Sequence, residues 1–287
     1  MRIGRVQEIW RYPVKSMGGE RLPSAEILSG GIPGDRGWAV RDEVNGGIRG
    51  AKKLPGLMGC QARYLEPPKP ERAGPAEIVL PDGTQLTTDA PDAAARISAA
   101  IGHAVTLWPL QPADQLDHYR RGAPTHSDVP TELRAVFGLL PDEPLPDLSG
   151  MPREVFEFES PPGPYFDAFP LLVLTDASLR TLAARALSSV IDVRRFRPNL
   201  LVTTEPSTND FVEAAWEGKH LRVGDATLAL TAACPRCVMT THGFADLPKD
   251  PRIMRTLVKE AQHKLGIYAR VAEPGPVALG DPVELLP

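Results

Sequence analysis

Residues 219–241 read KHLRVGDATLALTAACPRCVMTT. Up to Ala233 the stretch is strand-like, and it then carries two of the chain's three cysteines, Cys234 and Cys237, with Pro235 and Arg236 between them. A Cys-x-x-Cys suits half a zinc site, a redox dithiol or a cofactor ligand. A structural zinc site needs about four ligands, yet Cys60 is remote in sequence and His242 is the one further candidate nearby. A thioredoxin-type dithiol places its first cysteine at a helix N-terminus, which lowers that thiol's pKa. Here Cys237 is followed by Val-Met-Thr-Thr and then His-Gly, a β-branched run ending in a breaker that predicts no helix. The motif therefore reads as a connection between strands in a β-rich chain. Two readings stay open at this point. One is a buried pair of core cysteines, which an intervening arginine makes awkward. The other is a ligand site, in which Arg236 favours an ionised sulfur and holds an anionic group, as a soft, thiolate-bound metal in a phosphorylated cofactor requires.

The flanking sequence agrees with β-rich architecture. RIGRVQEIWRYPV, RLPSAEILSGG and RGWAVRD read as short strands, and AEIVLPDGTQLTTD reads as a hairpin turning at Pro81-Asp82-Gly83. APDAAARISAAIG predicts a short helix that starts at Asp89 or Pro91-Asp92 and stops at Gly102, before a strand in HAVTLWPL. From about 111 to 166 the chain is polar and proline-rich, and only PTELRAVFG is helix-like; this is a linker or surface excursion between two halves. FPLLVLT then reads as a buried strand and DASLRTLAARAL as a helix with Asp176 at its N-cap. RFRPNLLVTT and CVMTT are strand-like. DPRIMRTLVKEAQHKLG predicts a helix on the spacing of Ile253, Leu257, Ala261 and Leu265, ended by Gly266. IYARVAEPGPVALGDPVELL supplies closing strands.

Composition narrows the function classes. With 287 residues and 42% hydrophobic content, the chain can fill one large domain or two smaller ones. Its 31 prolines favour many short elements over a helical bundle. A net charge of −4 gives no electrostatic reason to expect nucleic acid or an anionic membrane surface. Three cysteines are too few for a disulfide framework and fit a reducing compartment. With no signal-peptide core at the start and no apolar run of spanning length, the expectation is a cytoplasmic protein without a membrane association. No Gly-x-Gly-x-x-Gly follows a strand, and no Walker-type loop is present.

CPRCVMTT resembles the signature of MOSC proteins, named for the C-terminal domain of molybdenum-cofactor sulfurase. RFRPNLLV at 195–202 is similar to the family's Arg-Pro-Asn strand, and VALGDPVELL to its final strand. WRYPVKSMGGE at 10–20 and GDRGWAV at 34–40 resemble the N-terminal β-barrel-type module that precedes MOSC in the amidoxime-reducing branch. The resemblance implies a mainly β fold with α+β elements: a smaller β-barrel-like N-terminal domain at 1–120 and a MOSC β-barrel domain at 121–287.

The resemblance also implies a molybdenum cofactor, a pterin whose dithiolene holds the metal and whose tail carries a phosphate. In the family the cysteine after Arg ligates the metal, which carries over to Cys237 as metal ligand and catalytic centre. By the same match Pro235 and Arg236 line the cofactor, Arg197 and Asn199 bind it from a neighbouring strand, and Lys15, Ser16 and Arg36 reach it from the N-terminal module. Asp167, before AFPLLVLT, joins them. A phosphate and an electron-rich pterin call for such converging donors. Arg194 and Arg195 are expected to be solvated charges, Cys60 a core residue, and His118, Arg120 and Arg121 part of a surface loop. The family's TTVDP continuation is here TTHGFADLPKD, which places His242 where relatives have Val-Asp and leaves Cys234 without an assigned role.

The implied activity is reduction of N-hydroxylated small molecules, such as amidoximes and hydroxylamines. Electrons would come from a separate flavin or iron–sulfur reductase, since the appended iron–sulfur domain of some bacterial relatives has no counterpart here. The alternatives are a sulfur carrier with a persulfide on Cys237 or Cys234, and a cofactor-binding protein without turnover.

Overall fold

The computed structural model describes residues 1–69 and 72–286. The first strands are β1 (Arg2–Arg11), β2 (Glu20–Leu22), β3 (Ser24–Ile27), β4 (Trp38–Asp42) and β5 (Ile48–Arg49). They are followed by β6 (Gln61–Tyr64), β7 (Ala76–Val79), β8 (Gln85–Thr87), helix α1 (Ala93–Ile101) and β9 (Val105–Pro109). The proline-rich excursion holds α2 (Leu116–Tyr119), α3 (Val129–Phe137) and α4 (Glu154–Glu157). The second half runs β10 (Leu171–Thr175), α5 (Asp176–Arg185), β11 (Leu200–Thr204), β12 (His220–Val223) and β13 (Ala226–Pro235). It ends with α6 (Arg252–Ala261), β14 (Lys264–Glu273), β15 (Gly275–Ala278) and β16 (Pro282–Leu286). Among the described residues no helix is long and apolar enough to cross a membrane.

Seven strands close into a barrel in the order β11-β10-β14-β13-β12-β16-β1, with β1 returning to pair β11 and β2 added outside β1. Closure removes exposed edges. β1 runs antiparallel to β11, with Val6 opposite Val202 and Ile9 opposite Leu200. Those residues fill the barrel core with Leu171, Val173, Leu228, Leu230, Ile267 and Val283, the inward half of each strand's alternation. Gly4 lets β1 and β11 approach, because a Cβ there would lie 1.7 Å from the Thr203 carbonyl oxygen. The first strand of the chain thus belongs to the same barrel as six strands beyond residue 170. A sequence boundary at 120/121 is crossed in space by β1.

A second core is built from two three-stranded sheets, β5-β4-β9 and β6-β7-β8, with α1 packed on β9; Val14, Met17 and Met239 join it from outside this stretch. Trp38, Val40, Leu57, Met58, Ile78, Leu86 and Ile97 fill this core, together with Cys60. Helices α5 and α6 cover one side of the barrel, where Leu182, Ile253, Met254 and Leu257 meet Leu174, Phe196 and Leu201.

The hairpin around Pro81-Asp82-Gly83 forms as expected, and α1 ends at left-handed Gly102. Three local expectations are corrected. Thr175, not Asp176, caps α5, its hydroxyl accepting from the Ser178 N–H. Helix α6 stops at left-handed Gln262, and Lys264–Gly266 already belong to β14; Leu265 is buried, but as a strand residue. Val238–Thr241 is not a strand but one 3-10 turn, with Cys237 at its N-cap. Thr240 and Thr241 turn their hydroxyls back on the carbonyls of Cys237 and Val238, a local alternative that β-branched threonine offers to the ladder.

Candidate functional site

A cleft forms where the ends of β1, β10, β11, β13 and β14 meet the loops of the smaller core. Its enclosed part measures about 70 Å³, and all nine residues singled out from the sequence line it: Lys15, Ser16, Arg36, Asp167, Arg197, Asn199, Pro235, Arg236 and Cys237. They come from five stretches of chain separated by as much as 222 positions (237 − 15).

The backbone is strained where the donors are placed. Ser16 has φ 69°, Arg36 φ 52° and Arg197 φ 56°, left-handed conformations that cost a non-glycine residue about 1–2 kcal/mol. Each is held by neighbours. Ser16 Oγ accepts from the Ala51 N–H at 2.8 Å. The Arg36 N–H donates to the Tyr12 carbonyl at 2.6 Å, and its own carbonyl accepts from Tyr165 at 3.0 Å. The guanidinium carbons of Arg36 and Arg197 sit 4.8 and 4.2 Å from the centre of the Tyr12 ring, a cation–π arrangement that lets two buried cations share one ring. Asp35 pairs with Arg36 and accepts from the Tyr12 N–H at 2.7 Å.

Lys15, Lys52 and Asp167 form a charged row. Lys15 Nζ donates to Asp167 Oδ1 at 2.6 Å and to the Tyr165 carbonyl at 3.0 Å, while Lys52 Nζ stands 3.4 Å from Asp167 Oδ2. Burial pulls the Lys15 ammonium below the usual lysine range against the pull of Asp167. Burial would raise the Asp167 carboxyl, but Lys15 and Lys52 outweigh it and hold it well below the usual range. Lys52, which the sequence reading passed over, is kept up by Asp167 and Cys237 despite burial. The signal was Lys52-Lys53 in a loop otherwise made of Gly, Ala, Leu and Pro.

The two sulfurs are distinct. Cys234 is buried, and Arg236 Nη1 donates to its Sγ at 3.0 Å while Nη2 donates to the Phe196 carbonyl at 2.6 Å. Cys237 is half-buried; burial raises its thiol, and Lys52 is the leading cation drawing it back down. Arg236 thus serves Cys234 directly, and the cation that most favours a Cys237 thiolate lies in another segment. Two buried guanidinium nitrogens of the cleft residues, Arg197 Nη2 and Arg236 Nε, have no hydrogen-bond partner among the described residues, an expensive condition unless an acceptor arrives.

Asn199 lines the cleft but is fully engaged by the protein. Its Oδ1 accepts from the Leu172 N–H at 3.1 Å, and its Nδ2 donates to Asp35 at 3.0 Å and to the Trp10 carbonyl at 3.3 Å. It ties β1, β10 and the Asp35–Arg36 corner together. Arg195 corrects the expectation of a solvated charge: it is wholly buried. Its guanidinium donates to the carbonyls of Val190, Thr240, His242 and Pro248 at 3.1, 3.3, 2.9 and 2.7 Å, pinning the turn that follows Cys237. Arg194 stays at the surface, paired with Asp192 and Asp246. Cys60 is a core thiol pushed up to about 11 by burial. His242 Nε2 meets the Ala51 carbonyl at 3.1 Å, linking that turn to the Lys52 loop. Arg120 and Arg121 pair with Glu157 and Glu159 within the excursion, and His118 bonds the Tyr165 hydroxyl at 2.8 Å; none of the three lines the cleft.

Comparison with known proteins matches two family models. The MOSC domain covers residues 163–284, and the MOSC N-terminal beta barrel domain covers residues 3–111. The chain is 26% identical to a mitochondrial amidoxime reducing component 2 of Bos taurus, over 98% of this chain and 83% of that protein. It is 25% identical to the human mitochondrial amidoxime-reducing component 1, over 99% of this chain and 83% of the relative. A shorter match to the human component 2 reaches 34% identity over 42% of this chain and 38% of that protein.

Proposed function

We propose, for a chain made of a MOSC N-terminal β-barrel domain and a MOSC domain, that the cleft binds a molybdenum cofactor and reduces N-hydroxylated small molecules, as the names of its relatives suggest. The observation that carries this reading is the meeting of a half-buried thiol with two buried, unpartnered guanidinium nitrogens in one cationic cavity. That donor set suits a thiolate-ligated metal joined to a phosphorylated, nitrogen-rich ring.

Cys237 would hold the metal through Sγ. Arg197 and Arg236 would turn their free N–H groups on the pterin or its phosphate, and Lys15, Ser16 and Arg36 would add donors from the N-terminal module. Asn199 and Pro235 shape the wall. When bound, the cofactor supplies the two-electron exchange by which an N–O bond is cleaved. The overall change consumes two electrons and two protons and releases water with the amine or amidine. Lys52 Nζ, 3.4 Å from Asp167 Oδ2, would carry a proton for that water. The electrons would come from a separate flavin or iron–sulfur reductase.

The test is metal analysis and turnover of protein made in a host that synthesises the cofactor. Stoichiometric molybdenum that is lost in Cys237→Ala and kept in Cys234→Ala, with reduction of benzamidoxime by a chemical electron donor, is the expected result. Protein that lacks molybdenum but carries a cyanide-labile sulfur would refute it and favour the sulfur-carrier reading. Loaded protein that reduces no N-hydroxylated compound would favour cofactor binding without turnover.

A further inference from the structure

A second cavity lies on the other side of Arg197. It measures about 160 Å³, larger than the enclosed part of the first, and is lined by Trp10, Tyr12, Met58, Arg194, Arg197 and Phe244. Gly18 and Gly19 form its floor. A Cβ on Gly19 would come within 2.4 Å of the Arg11 carbonyl oxygen and 2.5 Å of the Tyr12 ring, so only glycine keeps this floor. Trp10 and Tyr12 are stacked at 6.1 Å with their planes 11° apart, giving a flat, rigid wall. Met58 brings a polarizable thioether of the kind that packs well on aromatic rings.

The charges facing the space are cationic. Arg194 is neutralised by Asp192 and Asp246. Arg197 is not: Nη1 is spent on the Met17 carbonyl, while Nη2 is buried without a partner. Burial draws its guanidinium down to about 10 despite the nearby Asp35. Among the described residues no carboxylate lines this cavity, and Gln61 adds a neutral amide. The volume equals that of about five waters and falls below the ~300 Å³ at which pockets for drug-sized ligands begin.

We propose that this cavity is a second ligand site, for a single aromatic ring carrying a small anionic group such as a carboxylate. The ring fills the Trp10–Met58–Phe244 walls, and the anion takes an N–H of Arg197 Nη2, in competition with an acceptor in the first cavity. Because Arg197 lines both cavities, this occupant bears on the first site through one side chain. The inference stands on this cavity's own lining and does not require the proposed chemistry at Cys237.

The experiment is a titration of the full chain with benzoate, benzyl alcohol and acetate, followed by two-dimensional amide NMR. Benzoate should saturate, shift the amides of Gly18, Gly19 and Phe244, and bind at least tenfold tighter than either the uncharged ring or the ringless anion. Phe244→Ala should weaken benzoate at least fivefold. Should that variant fail to fold, Phe244→Leu, which removes the ring and keeps apolar bulk, should weaken it measurably. Non-saturating shifts, equal affinity for benzyl alcohol or for acetate, shifts confined to residues around Cys237, or unchanged binding in a folded Phe244 variant would each overturn the proposal.

Discussion

Replacing Arg195 by methionine tests the most consequential buried charge in the structure. Methionine keeps much of the side chain's apolar bulk and removes the guanidinium, leaving the carbonyls of Val190, Thr240, His242 and Pro248 without their donor. A buried group left unsatisfied costs about 1–3 kcal/mol. Taking the low end for each of four carbonyls, because burying the charge was itself unfavourable, gives a loss of about 4 kcal/mol. With a urea m-value of about 3 kcal/mol/M, the unfolding midpoint should fall by roughly 1.3 M. Arg194→Met is the matched control. Its side chain is 34% exposed and its partners are surface aspartates, so its loss should stay within about 1 kcal/mol. Equal midpoint shifts for the two neighbours would refute the assignment of Arg195 as the clamp of the turn after Cys237.

Further outcomes follow from the same geometry. Lys52→Met should slow alkylation of Cys237 by iodoacetamide in metal-free protein several-fold, because the leading cation that draws the thiol down is lost and burial is left to raise it. Lys53→Met, whose ammonium is committed to Glu132, should leave the rate unchanged. Asp167 has a depressed carboxyl pKa in the fold, so its contribution to stability is fully present above the unfolded value and fades as the pH falls towards the folded one. The stability difference between wild type and Asp167→Asn should therefore be constant above about pH 5 and close below about pH 4; a difference that widens on acidification would contradict the ion row. Gly122→Ala would place a Cβ 1.7 Å from the Gly46 carbonyl oxygen. It should lose at least about 2 kcal/mol, seen as a fall in Tm of at least about 4 °C.

The site was legible because its residues carry local signatures. CPRC, RPN, PVKS and GDRGW can each be read within a few residues, and the fold brings all four blocks to one cleft. What stayed hidden depends on partners distant in sequence. Arg195 and Arg194 are alike in the sequence, and only the return of residues 240–248 decides which is buried. Lys52 acquires meaning from Asp167, more than a hundred positions away. Arg236 stands between two cysteines in the sequence, and only the folded turn decides that Nη1 goes to Cys234. The existence of strands such as β1 and β13 is readable from short apolar-rich segments, yet such segments carry no information about which strands pair. The end of α6 was misplaced because Leu265 continues the helical spacing while the chain has already turned at Gln262. The left-handed backbone at Ser16, Arg36 and Arg197 left no mark, since none of these residues favours that conformation.

The closing role of β1 has a consequence for how the protein is made. Its two barrel neighbours occupy residues 200–204 and 282–286, so β1 is made long before either of them. At about 5–20 residues per second the interval between β1 and β11 is roughly 10–40 s, during which Val6 and Ile9 lack Val202 and Leu200, their barrel partners. Most of the smaller core lies within residues 38–105, with Val14, Met17 and Met239 joining it, and that part can collapse early; the barrel cannot close until β16 has been made. The cleft depends on the barrel strands and on the loops of the smaller core alike, so a cofactor could be received only once both are in place.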